Sequence, residues 1–156
     1  MITSVAMFYD LENPHTFVED IKKCLDKDGV WIIQMNYLGL MLENNTFDNI
    51  SHEHLEYYSL LSLENLFRRH DVESFDVELN DVNGGSFRIY VRHKDGKVKE
   101  PLGAEQRLNK LRENEKKSGF GDKMAYAKFA ERIKQTKKDV MGFLEDEVKK
   151  GKRIFI

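Results

Sequence analysis

A chain of 156 residues, 40% apolar and 33% charged, is long enough for one ordinary domain with a hydrophobic core, and it has no signal peptide or membrane-length apolar run. Its formal net charge of -2 gives no electrostatic reason to expect nucleic acid or a membrane as partner. The single cysteine, Cys24, excludes an intrachain disulfide and a thiolate zinc cluster and fits a reducing compartment, so the expectation is a soluble, cytoplasmic protein.

Residues 2–9 lie in a short apolar run without turn residues, the pattern of a buried strand. A helix follows, with Asn13 suited to the N-cap, Pro14 to the first helical position and Gly29 to the stop; Phe17, Ile21, Cys24 and Leu25 share one face. Residues 29–35 are almost wholly apolar and read as a second strand, which makes strand, helix and strand a βαβ unit with parallel strands. "SLENLFRRH" reads as a short helix capped by Ser62. Strands near 72–80 and 86–93 then show period-two alternation: Phe75, Val77 and Leu79 against Asp76 and Glu78, and Phe87, Ile89 and Val91 against Arg88, Tyr90 and Arg92. The turn-rich link "NDVNGGS" makes these two an antiparallel hairpin.

Beyond residue 102 the composition turns helical. The spacing predicts helices over 103–118 and 122–149, the second capped by Asp122 and ended by Gly151. Ala125, Phe129, Ile133, Thr136, Val140, Phe143 and Leu144 form its apolar stripe, suited to packing on the domain or to a coiled coil. The closing "RIFI" reads as the start of another strand, and the chain opens directly in a strand, so both ends look cut from something longer.

Three stretches invite chemistry. In "ISHEHLEYYSL", His52 and His54 flank Glu53. They suit a pair of metal ligands, a loop edge, or acid–base work with a histidine near neutral pKa and a carboxylate to orient it. The spacing is not that of a helical zinc protease and marks no third ligand, so no metal site is assigned. "NGGS", Asn83 to Ser86, suits either a hairpin turn or a phosphate cradle. Met7, Phe8 and Tyr9 stand where a strand hands over to a helix, the place for a cofactor in an open α/β sheet or for core. No glycine-rich nucleotide loop precedes a helix, which counts against a complete nucleotide-binding enzyme.

Together, "FDNISHEHLEYYSLLSLENLF" and "VELNDVNGGSFRIYV" closely resemble the sugar C-methyltransferases, a family of S-adenosylmethionine-dependent enzymes. "SVAMFYDLENPHTFVEDIKKCLDKDGVWIIQ" is similar to the fourth strand, following helix and fifth strand of their methyltransferase domain. The resemblance implies an α/β fold for residues 1–95, the second half of a class I Rossmann-like sheet with an antiparallel hairpin. It also implies that residues 96–156 are a helical link and the first strand of a truncated C-terminal Rossmann-like domain.

Such enzymes also carry a zinc-binding N-terminal domain and a glycine-rich cofactor loop. Neither is in this chain, which therefore reads as an incomplete and inactive fragment. Carried over, His54 is the base that makes a nucleotide-linked keto-sugar into an enolate, with Glu53 and His52 as its neighbours. Met7, Phe8 and Tyr9 would face S-adenosylmethionine; Tyr57, Asn83, Gly84, Gly85 and Ser86 would face the sugar nucleotide. Ser51 stands where the family often has tyrosine, which bears on the sugar accepted. Self-association is expected through residues 1–9 or 153–156, or through the long C-terminal helix.

Overall fold

The computed structural model describes residues 1–155. Over those residues the chain forms an α/β fold with one mixed sheet of four strands: β1 (Ile2–Val5), β2 (Trp31–Asn36), β3 (Val72–Asn80) and β4 (Ser86–His93). The order across the sheet is β1-β2-β4-β3. β1 and β2 are parallel, and β4 lies antiparallel between β2 and β3, so the βαβ unit and the hairpin expected from the sequence both form.

β1 ends at Val5 rather than continuing to residue 9. Ala6 turns to φ 51°, and Phe8–Asp10 form a 3₁₀ turn that drops Phe8 into the core. Helix α1 (Pro14–Cys24) begins as its sequence requires: Asn13 accepts from the Thr16 amide at 3.2 Å, and Pro14 supplies the first turn. It stops at Cys24, not Gly29, which instead closes a turn by donating its amide to the Asp26 carbonyl. Val18 is the residue of α1 that is fully buried; Cys24 is exposed.

One core unites the inward residues of β2 and β4 with side chains of three helices. Trp31, Ile33 and Met35 stand opposite Val91, Ile89 and Phe87 in the β2–β4 register, and all six are buried. They meet Val18 of α1, Leu63 and Phe67 of α3 (Leu60–Arg68), and Leu108 and Leu111 of α4 (Ala104–Ser118). The indole N–H of Trp31, which would be costly to bury unpaired, donates to Ser4 Oγ at 3.0 Å. On the other side of the pleat Arg88 donates through Nε and Nη2 to Gln34 Oε1, and Tyr90 donates to Glu78.

The expected alternation of β3 fails at two places: Leu79, near its end, is exposed, and the strand is bulged near its start. A register shift between Ser74 and Asp76 puts Phe75 out of phase with Val77. Val77 joins the core, while Phe75 sits against the Tyr90 ring and beneath the Arg92 guanidinium, 5.3 Å from its ring centre. The same bulge leaves Asp76 only 2% exposed, and Arg107 of α4 grips both its oxygens at 2.8 and 2.7 Å. This fork fixes α4 to the sheet edge.

Helix α3 is capped by Ser59, not Ser62. Ser62 is the third helical residue and returns the bond to the Ser59 amide, a reciprocal box. Glu115 of α4 adds two more acceptors, taking the Leu60 amide at 2.6 Å and the Leu61 amide at 2.9 Å. It also takes the Tyr37 hydroxyl at 3.0 Å.

The chain between β2 and α3 forms α2 (Leu38–Asn44), on which α5 (Lys123–Lys149) packs through Phe129 and Ile133. Arg132 donates to the Leu42 carbonyl at this contact. The α5 cap at Asp122 is as expected, its side chain accepting from the Met124 amide. Its stripe is buried only at the start: Val140 and Phe143 are exposed. Arg153–Phe155 are exposed and in neither helix nor strand, so the strand expected at 153–156 is not formed there; Ile156 lies outside the described residues. Among the described residues no helix is long and apolar enough to cross a membrane.

Burial raises the pKa of the Tyr37 and Tyr58 phenols far above their ordinary value of about 10, with Glu115 adding to the effect at Tyr37 and Glu56 at Tyr58. The unfolded chain ionises these groups near pH 10 and the folded chain does not, so their contribution to stability is constant below that pH and is lost above it. In an alkaline titration their phenolate absorbance is expected to appear only with cooperative loss of the far-ultraviolet dichroism. Smooth titration of all six tyrosines near pH 10 in a folded chain would contradict this burial.

Candidate functional site

Residues 51–58 have neither helix nor strand, and this loop crosses the carboxyl ends of the two parallel strands. Two main-chain bonds hold it there. The Glu56 amide donates to the Tyr9 carbonyl beyond β1, and the Leu38 amide beyond β2 donates to the Tyr58 carbonyl. Ligand crevices in open α/β sheets form at this end of the strands. The β3–β4 turn opens at the same end, because Ser86 pairs with Asn36.

His54 is half-buried in this loop, its ring 4.3 Å from that of Tyr9. Its Nδ1 lies 2.8 Å from the Asn49 carbonyl oxygen. A carbonyl only accepts, so Nδ1 carries a proton and, in the neutral ring, Nε2 keeps its lone pair. The Tyr57 hydroxyl reaches the same carbonyl at 3.4 Å. His52 and Glu53 are exposed, and the two histidines therefore differ in setting despite their symmetry in sequence. Among the described residues no group of three or more His, Cys, Asp or Glu side chains is placed to hold a metal ion.

The "NGGS" turn is built for close packing. Asn83, Gly84 and Gly85 all have positive φ, at 52°, 76° and 136°. A Cβ on Gly84 would stand 2.5 Å from Thr46 Cγ2, and one on Gly85 would stand 2.4 Å from Leu40 Cβ. Both glycines are thus required by the approach of the turn to α2 and the loop after it. Ser86 is buried and donates to the Val82 carbonyl at 2.8 Å; Asn44 Nδ2 donates to the Gly84 carbonyl.

The turn and the histidine loop are joined by two residues that the sequence reading did not single out. Asn36, last in β2, donates to Asn49 Oδ1 at 2.6 Å, and Ser86 Oγ lies 3.5 Å from Asn36 Oδ1. Asn49 Nδ2 donates to the Asn83 carbonyl at 3.2 Å. A polar residue ending an apolar strand, as in "IIQMN", was the available signal for Asn36. Asn49 carries no comparable mark, since its neighbours read as an ordinary loop.

The expected cofactor contacts are placed differently from one another. Phe8 is fully buried between Phe17, Trp31 and Tyr58, Tyr9 is 7% exposed, and Met7 is half-buried. Among the described residues the outer edge of β1 has no neighbouring strand. Phe8 is thus part of the core, and Met7 is the one of the three that is partly open.

Residues 81–156 match the family described as the C-methyltransferase C-terminal domain, and that stretch includes β4, α4 and α5. The C-methyltransferase NovU of Streptomyces niveus is 28% identical over 151 residues, which cover 94% of this chain and 34% of that protein. The chain thus spans about a third of the length of the curated relative it matches. Both likenesses are to C-methyltransferases.

Proposed function

We propose that this chain supplies the carbon-acid side of a C-methyltransferase site, with His54 as the base acting on a nucleotide-linked keto-sugar. The observation that carries the reading is the bond from His54 Nδ1 to the Asn49 carbonyl, which leaves Nε2 as the proton acceptor. A sugar carbon beside a keto group loses its proton to Nε2. The C–H electron pair moves into the adjacent carbon–carbon bond, and the carbonyl oxygen takes the negative charge. The ring becomes an imidazolium whose Nδ1–H still faces a carbonyl, so the charge created is partly met by the Asn49 dipole. S-adenosylmethionine supplies an electrophilic methyl group in such enzymes. Tyr57 and the Asn83–Ser86 turn flank the same end of the sheet and are assigned to the sugar nucleotide, with Glu53 and His52 at its rim.

The test is solvent exchange at the carbon next to the keto group, followed by proton NMR in deuterium oxide with the active enzyme containing this segment and no methyl donor. Exchange is expected with the native protein and not with His54→Asn. Methyl transfer to oxygen or nitrogen of the substrate, without exchange at carbon, would overturn the reading in favour of an O- or N-methyltransferase.

A further inference from the structure

Beyond the base itself, we infer that Asn49 is a positioning residue that sets which nitrogen of His54 accepts the proton. The inference rests on the reading of His54 as base, but its first readout does not. Asn49 touches three parts of the site. Its side-chain oxygen accepts from Asn36 at the end of β2, and its side-chain amide donates to the Asn83 carbonyl in the β3–β4 turn and, at 3.4 Å, to the Thr46 carbonyl. Its main-chain carbonyl receives His54 Nδ1 at 2.8 Å and the Tyr57 hydroxyl at 3.4 Å.

Asn49 lies in a short 3₁₀ turn, Phe47–Asn49, where no sheet ladder or long helix fixes the direction of a carbonyl. The side-chain clamp does so instead. Both amide hydrogens and the side-chain oxygen are engaged, so rotation of the residue would break three bonds at once. A fixed acceptor facing Nδ1 admits only the tautomer with hydrogen on Nδ1. With that carbonyl turned away, the ring is free to carry its hydrogen on Nε2, and the acceptor needed for the carbon acid is gone. Because the clamp runs through Asn83 and Asn36, the turn assigned to the substrate and the tautomer of the base share one set of bonds.

The experiment uses the full chain, labelled with nitrogen-15, and long-range proton–nitrogen spectra of its imidazoles above their titration. His54 is assigned by the signal missing from His54→Asn. In the native chain the expected result is a protonated Nδ1 and an unprotonated Nε2. Asn49→Ala, and separately Asn36→Ala, are expected to move the ring toward Nε2–H while the far-ultraviolet dichroism is kept. Both sites are half-buried rather than core, so loss of either side chain leaves the hydrophobic cluster intact.

In the active enzyme Asn49→Ala is expected to lower kcat by about 10²-fold, the scale of a misplaced catalytic group, with KM little changed. A native ring already protonated on Nε2 overturns the inference, as does a native-like tautomer in the folded variants. A tautomer shift with undiminished exchange at the substrate carbon would instead leave the positioning role standing and remove His54 as the base.

Discussion

Replacement of His54 by asparagine in the active enzyme is expected to lower turnover by about 10²–10⁴-fold, the usual cost of losing one proton-transfer group. Asparagine is the informative choice. Its amide offers a hydrogen to the Asn49 carbonyl, as Nδ1 does, so the loop keeps the bond that seats it. What it lacks is an acceptor with the basicity of Nε2. Affinity for S-adenosylmethionine is therefore expected to be nearly unchanged while methyl transfer and carbon-proton exchange fall together. Turnover within a few-fold of the native enzyme would move the role to Tyr57, whose hydroxyl already meets the same carbonyl, or to the exposed Glu53.

The largest stability effect is expected at Glu115, a residue of α4 that is 5% exposed. Its carboxylate accepts from the Tyr37 hydroxyl and from the Leu60 and Leu61 amides at the start of α3, where the helix also favours a negative charge. Glu115→Ala leaves the first two donors buried without a partner, and each such loss costs about 1–3 kcal/mol. Leu61 is exposed and can turn to water. The expected loss is about 3–5 kcal/mol by denaturant unfolding, with a smaller loss for Glu115→Gln, which keeps one carbonyl acceptor. A loss under about 1 kcal/mol for the alanine variant would show that α3 is held by its serine cap alone.

What was legible in the sequence follows from which interactions are local. Asn13 and Pro14 announce a helix start, and Phe87, Ile89 and Val91 alternate with polar residues in a half-buried strand, because those signals act over a few residues. The hairpin was legible for the same reason, through its glycines. Phe75 was misread because a single extra residue reverses the phase of every side chain before it, and nothing in "ESFDVE" marks the bulge. The Ser59 cap was misplaced by one helical turn because both serines belong to the box and either could open it.

At the site, His54 was legible as a chemically suited residue, but its carbonyl partner was not. That partner is a main-chain atom, and its placement depends on Asn36 and Asn83, which are distant in sequence. Glu115 was hidden in "RENEKKS", where an acid on a highly charged helix reads as solvated.

The place of β4 between β2 and β3 has a consequence for the order in which the protein assembles. β1 and β2 can pair as soon as both are made, but the inner edge of β2 waits for a strand that starts at Ser86. Until then Trp31, Ile33 and Met35 lack the Val91, Ile89 and Phe87 neighbours that cover them. The β3–β4 hairpin, whose strands are close in sequence, is expected to form first and to dock as a unit into the waiting edge. A nascent chain halted before residue 86 thus presents an open, apolar strand edge, the kind of surface on which chaperones act and aggregation starts.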